Sequence, residues 1–156
     1  MTVRFACEKD IPQMNSLLYQ VERVHQQGRP DLFKEGAKKY TDNELKDMLK
    51  DKTKPIFAAV DENDVMKGYA FCVFQEHKGD NVLTYIKTLY IDDLCVDENC
   101  RGQHIGSVLY EAVKKFAKEQ GCYNVTLNVW ECNPSARKFY EKAGLKPYKT
   151  GMEVIL

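Results

Sequence analysis

"CRGQHIGSVLYEAVKKFAKEQG", residues 100–121, sets an arginine and two glycines directly ahead of the most regular helical pattern in the chain. Ile105, Val108, Leu109, Ala112, Val113, Phe116 and Ala117 form one apolar stripe, and Glu111 and Lys115 are spaced to pair on the wet face. Gly121 is the expected stop. Glycine is entropically costly in a helix, so Gly102 and Gly106 ask for a reason. The first N–H groups of a helix lack intrahelical partners and sit at the positive end of its dipole, ready to hold an anion. Here the backbone of Gly102, Gln103, His104, Ile105, Gly106 and Ser107 would converge on a pyrophosphate, with Arg101 adding charge. No GxxxxGK[ST] motif is present, and the third glycine of the dinucleotide fingerprint is missing. Taken alone, the stretch is explained equally well as a glycine-containing turn into a structural helix.

Upstream, Val3 and Phe5 begin a strand, and Asp10 with Gln13 reads as a capping box for a helix carrying Ile11, Met14, Leu17, Leu18, Val21 and Val24. Gly28 and Pro30 stop it. Thr41 and Glu44 cap a second helix with Leu45, Met48 and Leu49 inward. The period then shortens to two. "IFAAVD", "KGYAFCVFQEH" and "NVLTYIKTLYIDDLCV" (81–96) read as an antiparallel meander separated by turns at 61–64 and 78–81. Downstream of the quoted helix "YNVTLNV" reads as a strand, so residues 88–129 predict a parallel crossover. Asn133-Pro134 opens a fourth helix that ends at Gly144, and "LKPYKTGMEVIL" is expected to close with a pair of strands.

The 156 residues fit a single domain, 1–156, with 23 basic and 23 acidic side chains. That balance supplies no field for nucleic acid or an anionic membrane. The N-terminal residues are too short and interrupted for a signal peptide, and no apolar run approaches the roughly 18 residues of a membrane span, so a cytoplasmic protein is expected. Six cysteines without a CxxC pair and three histidines without ligand spacing predict buried thiols and no metal site.

"LCVDENCRGQHIGSVLYEAV" (94–113), followed by "NPSARKFYEKAGLKPY" (133–148), resembles the GCN5-related N-acetyltransferases, the GNAT family. Arg101, Gly102, Ile105 and Gly106 stand as R-G-x-x-I-G, with His104 where the family often has glycine. The order of elements matches along nearly the whole chain. The resemblance implies a mixed α/β fold whose central, mostly antiparallel sheet is splayed between its fourth and fifth strands and flanked by about four helices. It implies acetyl-CoA as cosubstrate and transfer of the acetyl group to a primary amine of a small molecule or peptide by direct attack in a ternary complex. Homodimerisation, common in the family, is allowed. The pantetheine arm would lie along Leu94, Cys95 and Val96, and the Val96 N–H would polarise the thioester carbonyl. The side chains of Leu94 and Val96 read as core.

By the same resemblance Tyr140 donates a proton to the leaving sulfur and Asn133 contacts the CoA arm. Asn133 is also an N-cap, and Tyr140 is open to a purely structural reading. Lys138, near the same helix start, is placed to reach a CoA phosphate or to lie solvated. Asp92 is the expected proton acceptor, sharing a strand face with Leu94 and Val96 by two-residue alternation, and it resembles the glutamate of polyamine acetyltransferases. Asp93 beside it and Glu131 are further candidates. Family members acting on ribosomal proteins use a fifth-strand glutamate, where this chain has Asn128. Arg29, Asp31, Phe33 and Tyr40 are expected around the acceptor. Cys95 lacks a histidine to activate it as an acyl carrier. A non-catalytic acyl-CoA-binding module is the alternative function.

Overall fold

The helical and two-residue periods sort into four helices and five strands, and the computed structural model describes residues 1–156. In order these are β1 (Thr2–Phe5), α1 (Ile11–Gly28), α2 (Asp42–Lys50), β2 (Ile56–Val60), β3 (Met66–Glu76), β4 (Lys87–Val96), α3 (Ile105–Glu119), β5 (Asn124–Leu127) and α4 (Pro134–Lys142). The sheet order is β1-β2-β3-β4-β5, antiparallel throughout except for the parallel pair β4–β5. Joining parallel neighbours requires a crossover, which α3 provides as the sequence predicts.

Two cores form, one on each face of the sheet. On one face Met14, Leu17 and Leu18 of α1 and Leu45 of α2 pack on Ile56, Ala58, Tyr69, Phe71 and Cys95. On the other, Ile105, Leu109, Tyr110, Val113 and Ala117 of α3 pack on Phe57, Ala59, Ala70, Leu89 and Ile91. The predicted α3 stripe is shifted slightly, because Val108 is exposed and Tyr110 is buried. Glu111 pairs with Lys114 at 2.6 Å rather than with Lys115, which reaches toward Glu119.

Three local expectations are corrected. Asp10 starts α1 without a side-chain cap bond. Its carboxylate turns instead to the Arg4 guanidinium, at 2.7 and 2.9 Å, and to the Cys7 N–H at 2.8 Å. A charge-assisted fork offers a buried carboxylate more than one backbone N–H can. The stretch 81–86 is not strand, since the Asp80 carboxylate accepts the N–H groups of Val82 and Leu83 and holds a turn until β4 starts at Lys87. The closing strands are absent: residues 143–156 carry no helix or strand, and Met152, Val154, Ile155 and Leu156 are exposed. No helix is long and apolar enough to cross a membrane.

Asp10 is 3 % exposed, and although burial raises its carboxyl pKa, the Arg4 and Cys7 hydrogen bonds outweigh that and hold it below the usual range. Asp10→Ala, which leaves Arg4 without its main partner, is expected to cost about 2 kcal/mol in urea unfolding at pH 7. A carboxyl depressed in the fold stabilises above its unfolded pKa and ceases to do so as pH falls through the folded value. The difference between wild type and Asp10→Asn should therefore shrink below about pH 4.

Candidate active site

β4 is the strand on which the site is built. Its register against β3 shifts between Phe71 and Cys72: Phe71 faces Asp93, Cys72 faces Ile91, and Asp92 has no residue opposite. This is a β-bulge, and it changes which way the acidic pair points. Ile91, Leu94 and Val96 belong to the α3 face, while Cys95 lies in the core beneath α1. Asp92 and Asp93 both leave on the α1 face, where Asp92 accepts a short hydrogen bond from the Tyr40 hydroxyl and Asp93 accepts one of 2.8 Å from the Tyr69 hydroxyl. The expectation that Asp92 shares the face of Leu94 and Val96 is thus corrected, because simple alternation does not survive the extra residue.

β4 and β5 pair only from Thr88↔Asn124 to Ile91↔Leu127, and β4 runs on to Val96 without a neighbour on that side. The Asp97 N–H bonds to the Lys67 carbonyl, on the β3 side. Alternation along the ladder then turns the N–H groups of Cys95 and Asp93 toward β3 and those of Leu94 and Val96 into the gap. At the end of that gap α3 begins. The N–H groups of Gln103, His104, Ile105, Gly106 and Ser107 find no acceptor in the chain, the first helical bond being Val108 N–H to the His104 carbonyl. Arg101 makes no ion pair and Gly102, at φ +79°, has open space around it. A strip of free strand donors leading to unpartnered donors at a helix N-terminus, beside a free guanidinium, fits a long ligand carrying a pyrophosphate.

Gly106 answers a packing demand beside the one its motif suggests. A Cβ there would stand 3.2 Å from the Phe139 ring, so the glycine lets α4 close on α3. Ile105 likewise places its side chain in the core and offers only its backbone. His104 sits in the left-handed region at φ 60°, ψ 12°, the conformation that explains glycine at this position elsewhere. Asn133 caps α4 by accepting the Ala136 N–H at 3.1 Å, as its sequence pattern predicts.

α4 brings Tyr140 across the gap from β4. Burial raises the Tyr140 pKa, and the Asp93 charge adds to the effect, so the phenol is firmly protonated at neutral pH. The Cys95 thiol donates to the Leu17 carbonyl at 3.5 Å and is pushed up to about 12 by burial and Asp93, which leaves no thiolate for acyl transfer. The two aspartates differ. Lys39 lies 2.8 Å from the Asp92 carboxylate. Asp93 has no cation in contact; burial pushes its carboxyl up to about 6 despite the opposing hydrogen bond from Tyr69 and the field of Lys39.

Around these carboxylates the structure collects residues that the sequence pattern did not single out. Glu22 and His25, three apart on α1, feel the charge of Lys39, and His25 also feels Asp93. His25 packs on Phe33 at 5.2 Å, and Phe33 meets Trp130 edge-on at 5.1 Å. Of the expected acceptor-loop residues, Phe33 and Tyr40 join this cluster, whereas Arg29 is occupied by Asp31 and Glu153. Glu131 faces outward and pairs with Arg137. Asn128 donates to the Tyr90 hydroxyl and takes no part.

A parallel pair that parts halfway, with an anion-ready helix start at the end of the opening, defines the GNAT class of fold. The model of the acetyltransferase (GNAT) family matches residues 18–145, and the chain belongs to that family. It is 37% identical over 60 residues to a glucosamine 6-phosphate N-acetyltransferase of Candida albicans and 36% identical over 59 residues to one of Arabidopsis thaliana. Each match covers 38% of this chain and 38% of the relative, so the chain spans well under half the length of the curated relatives it matches. A mutant Bacillus halodurans protein of known structure superposes over 100% of this chain and 99% of its own, with TM-score 0.95 and 28% identity. An aminoglycoside acetyltransferase from an uncultured soil sample, solved with sisomicin, shares the fold at TM-score 0.74 and 21% identity, covering 99% of this chain and 94% of its own.

His104 yields a direct test of the left-handed start of α3. His104→Gly should leave stability unchanged or raise it, by up to about 1 kcal/mol, whereas His104→Val should lower it by about 1–2 kcal/mol, both read from thermal unfolding.

Proposed function

We propose that this chain is an acetyl-CoA-dependent N-acetyltransferase acting on a primary amine by direct transfer. The observation that carries the reading is the meeting of three features: the parted β4–β5 edge, the unpartnered donors at the start of α3, and a protonated tyrosine within the field of a carboxyl with a pKa of about 6. Acetyl-CoA supplies an acetyl thioester. The α3 N-terminus from Gly102 to Ser107, with Arg101, would hold the pyrophosphate, and the Leu94–Val96 edge and Asn133 would hold the arm. The Val96 N–H would polarise the thioester carbonyl.

Proton traffic falls to Asp93 and Tyr140. The acceptor arrives as an ammonium and must lose a proton before its nitrogen attacks. Asp93 takes it, being largely ionised at pH 7 and still basic enough to hold it. As the new C–N bond forms and the C–S bond breaks, the Tyr140 hydroxyl gives its proton to the departing sulfur, and the phenolate left behind takes up the second proton that the nitrogen sheds in becoming an amide. The role expected of Asp92 passes to its neighbour, because Lys39 and Tyr40 already occupy the Asp92 carboxylate. Asp92 then holds Lys39 and Tyr40 in place as a positioning residue. Six free cysteines suit a reducing cytoplasm. The exposed apolar tail at Met152 to Leu156 favours a homodimer that covers it. Truncation after Gly151 should shift the chain toward monomer in sedimentation velocity; an unchanged distribution would remove the tail from any interface.

Thiol release from acetyl-CoA with a panel of amines tests the activity. The rate constant kcat/KM should climb as pH rises through about 6, the Asp93 value, and then level off. Asp93→Asn should abolish that limb and lower the rate about 100-fold or more, and Tyr140→Phe should lower kcat about tenfold with CoA binding retained. Tight CoA binding without release by any amine would replace the enzyme reading with that of a binding module.

A further inference from the structure

The acceptor side of the site has a chemistry of its own. Three carboxylates, Glu22, Asp92 and Asp93, are gathered where α1, the connection ahead of α2 and the bulge of β4 meet, against one cation, Lys39, already paired with Asp92. Glu22 makes no hydrogen bond or ion pair, and burial raises its carboxyl pKa against the pull of Lys39. Two further cations of this region are committed elsewhere: Arg29 grips Asp31 and Glu153, and Arg23 binds Glu98 at 2.5 Å.

Beside the carboxylates stands a row of flat rings. His25 and Phe33 lie 5.2 Å apart, Phe33 and Trp130 5.1 Å, and His25 and Trp130 6.5 Å. Burial lowers the His25 pKa, so the imidazole is neutral at pH 7 and joins the row as a ring rather than as a charge. Trp130 is 44% exposed, more than a ring serving only as core would be. The indole is therefore available to stack on something brought from solution.

Resting on the acetyltransferase reading above, we infer that the acceptor is a cationic primary amine on a short flat apolar body, an arylalkylamine, its ammonium drawn to Glu22 and Asp93 and its ring laid against Trp130 and Phe33. An amine carrying a phosphate is disfavoured, because its dianion would face three carboxylates whose one contacting cation, Lys39, is already paired. The acceptor class thus differs from that in the names of the curated relatives, whose matched segments cover 38% of this chain.

Trp130 is the single tryptophan in the chain, so its fluorescence reports on this site without requiring turnover. The full-length protein, presaturated with CoA, is titrated with 2-phenylethylamine, n-propylamine and glucosamine 6-phosphate at pH 7.5. Phenylethylamine should give a saturable change in emission, with an apparent Kd about tenfold or more below those of the other two. Glu22→Gln should raise that Kd about fivefold, and Phe33→Ala should erase the preference for phenylethylamine over propylamine. Binding of glucosamine 6-phosphate as tight as that of phenylethylamine, or no saturable response to phenylethylamine, overturns the inference. The separate release assay judges the reading beneath it: absence of CoA release with every amine defeats the acetyltransferase, whatever the titration shows about the acceptor opening.

Discussion

One unmatched residue in β4 governs the chemistry of this protein. Because Asp92 has no partner on β3, the strand carries two consecutive side chains to the same face and resumes its alternation one residue out of step. Both carboxylates therefore meet α1 and the connection before α2, while Leu94 and Val96 return to the α3 core. The same stretch of β4 is the one that β5 abandons after Leu127. A regular strand would place only one of the two acids on this face, and continued pairing would spend the N–H groups of Leu94 and Val96 on β5. Bulge and parting together create an opening lined by acid on one side and free backbone donors on the other.

Two adjacent carboxylates are expensive to hold together. Unit charges roughly 5 Å apart repel by about 3 kcal/mol at an effective dielectric near 20, a sizeable share of a typical domain's stability. The structure divides the load unequally. Asp92 receives Lys39 and the Tyr40 hydroxyl, while Asp93 receives one neutral donor, Tyr69. The pKa of Asp93 is raised mainly by burial, to which the Asp92 charge adds, and the group is left more basic than an ordinary carboxylate. Tyr140 completes the division on the far side, its proton retained more firmly because burial, and then the Asp93 charge, disfavour the phenolate.

What the sequence discloses follows from how each part is made. Periodicity places α1 to α4 and the meander because each element presents a face to one of two cores, and Thr41, Asn133 and Gly121 mark ends by local chemistry. The donor-side motif at Arg101 to Ser107 is equally legible, being a contiguous run whose proposed function rests on backbone. Two-residue alternation misplaces Asp92 because a bulge leaves no residue-type signature in "YIDDLCV". Asp10 beside Gln13 imitates a capping box, and only the fold reveals Arg4 within reach. "TGMEVIL" has a strand's composition without a strand's neighbour, so propensity alone misleads there.

The acceptor side is only partly legible in the sequence, which marks Phe33, Tyr40 and Asp93 but not Glu22, His25 or Trp130, for a reason that also bears on how it works. Its members, Glu22, His25, Phe33, Asp93 and Trp130, come from a helix, a connection, a bulged strand and a turn, and none stands in a motif with another. On the proposed function the donor side would hold its ligand through main chain, which tolerates substitution as long as the backbone path persists; His104 in a glycine-like conformation is the visible instance. The acceptor side acts through side chains alone, so each exchange alters charge or shape directly. A scaffold divided in this way can keep one donor while its acceptor changes residue by residue. Similarity concentrated in about two fifths of the chain is therefore a poor guide to the amine, and the balance of three carboxylates against a single committed lysine is the better one.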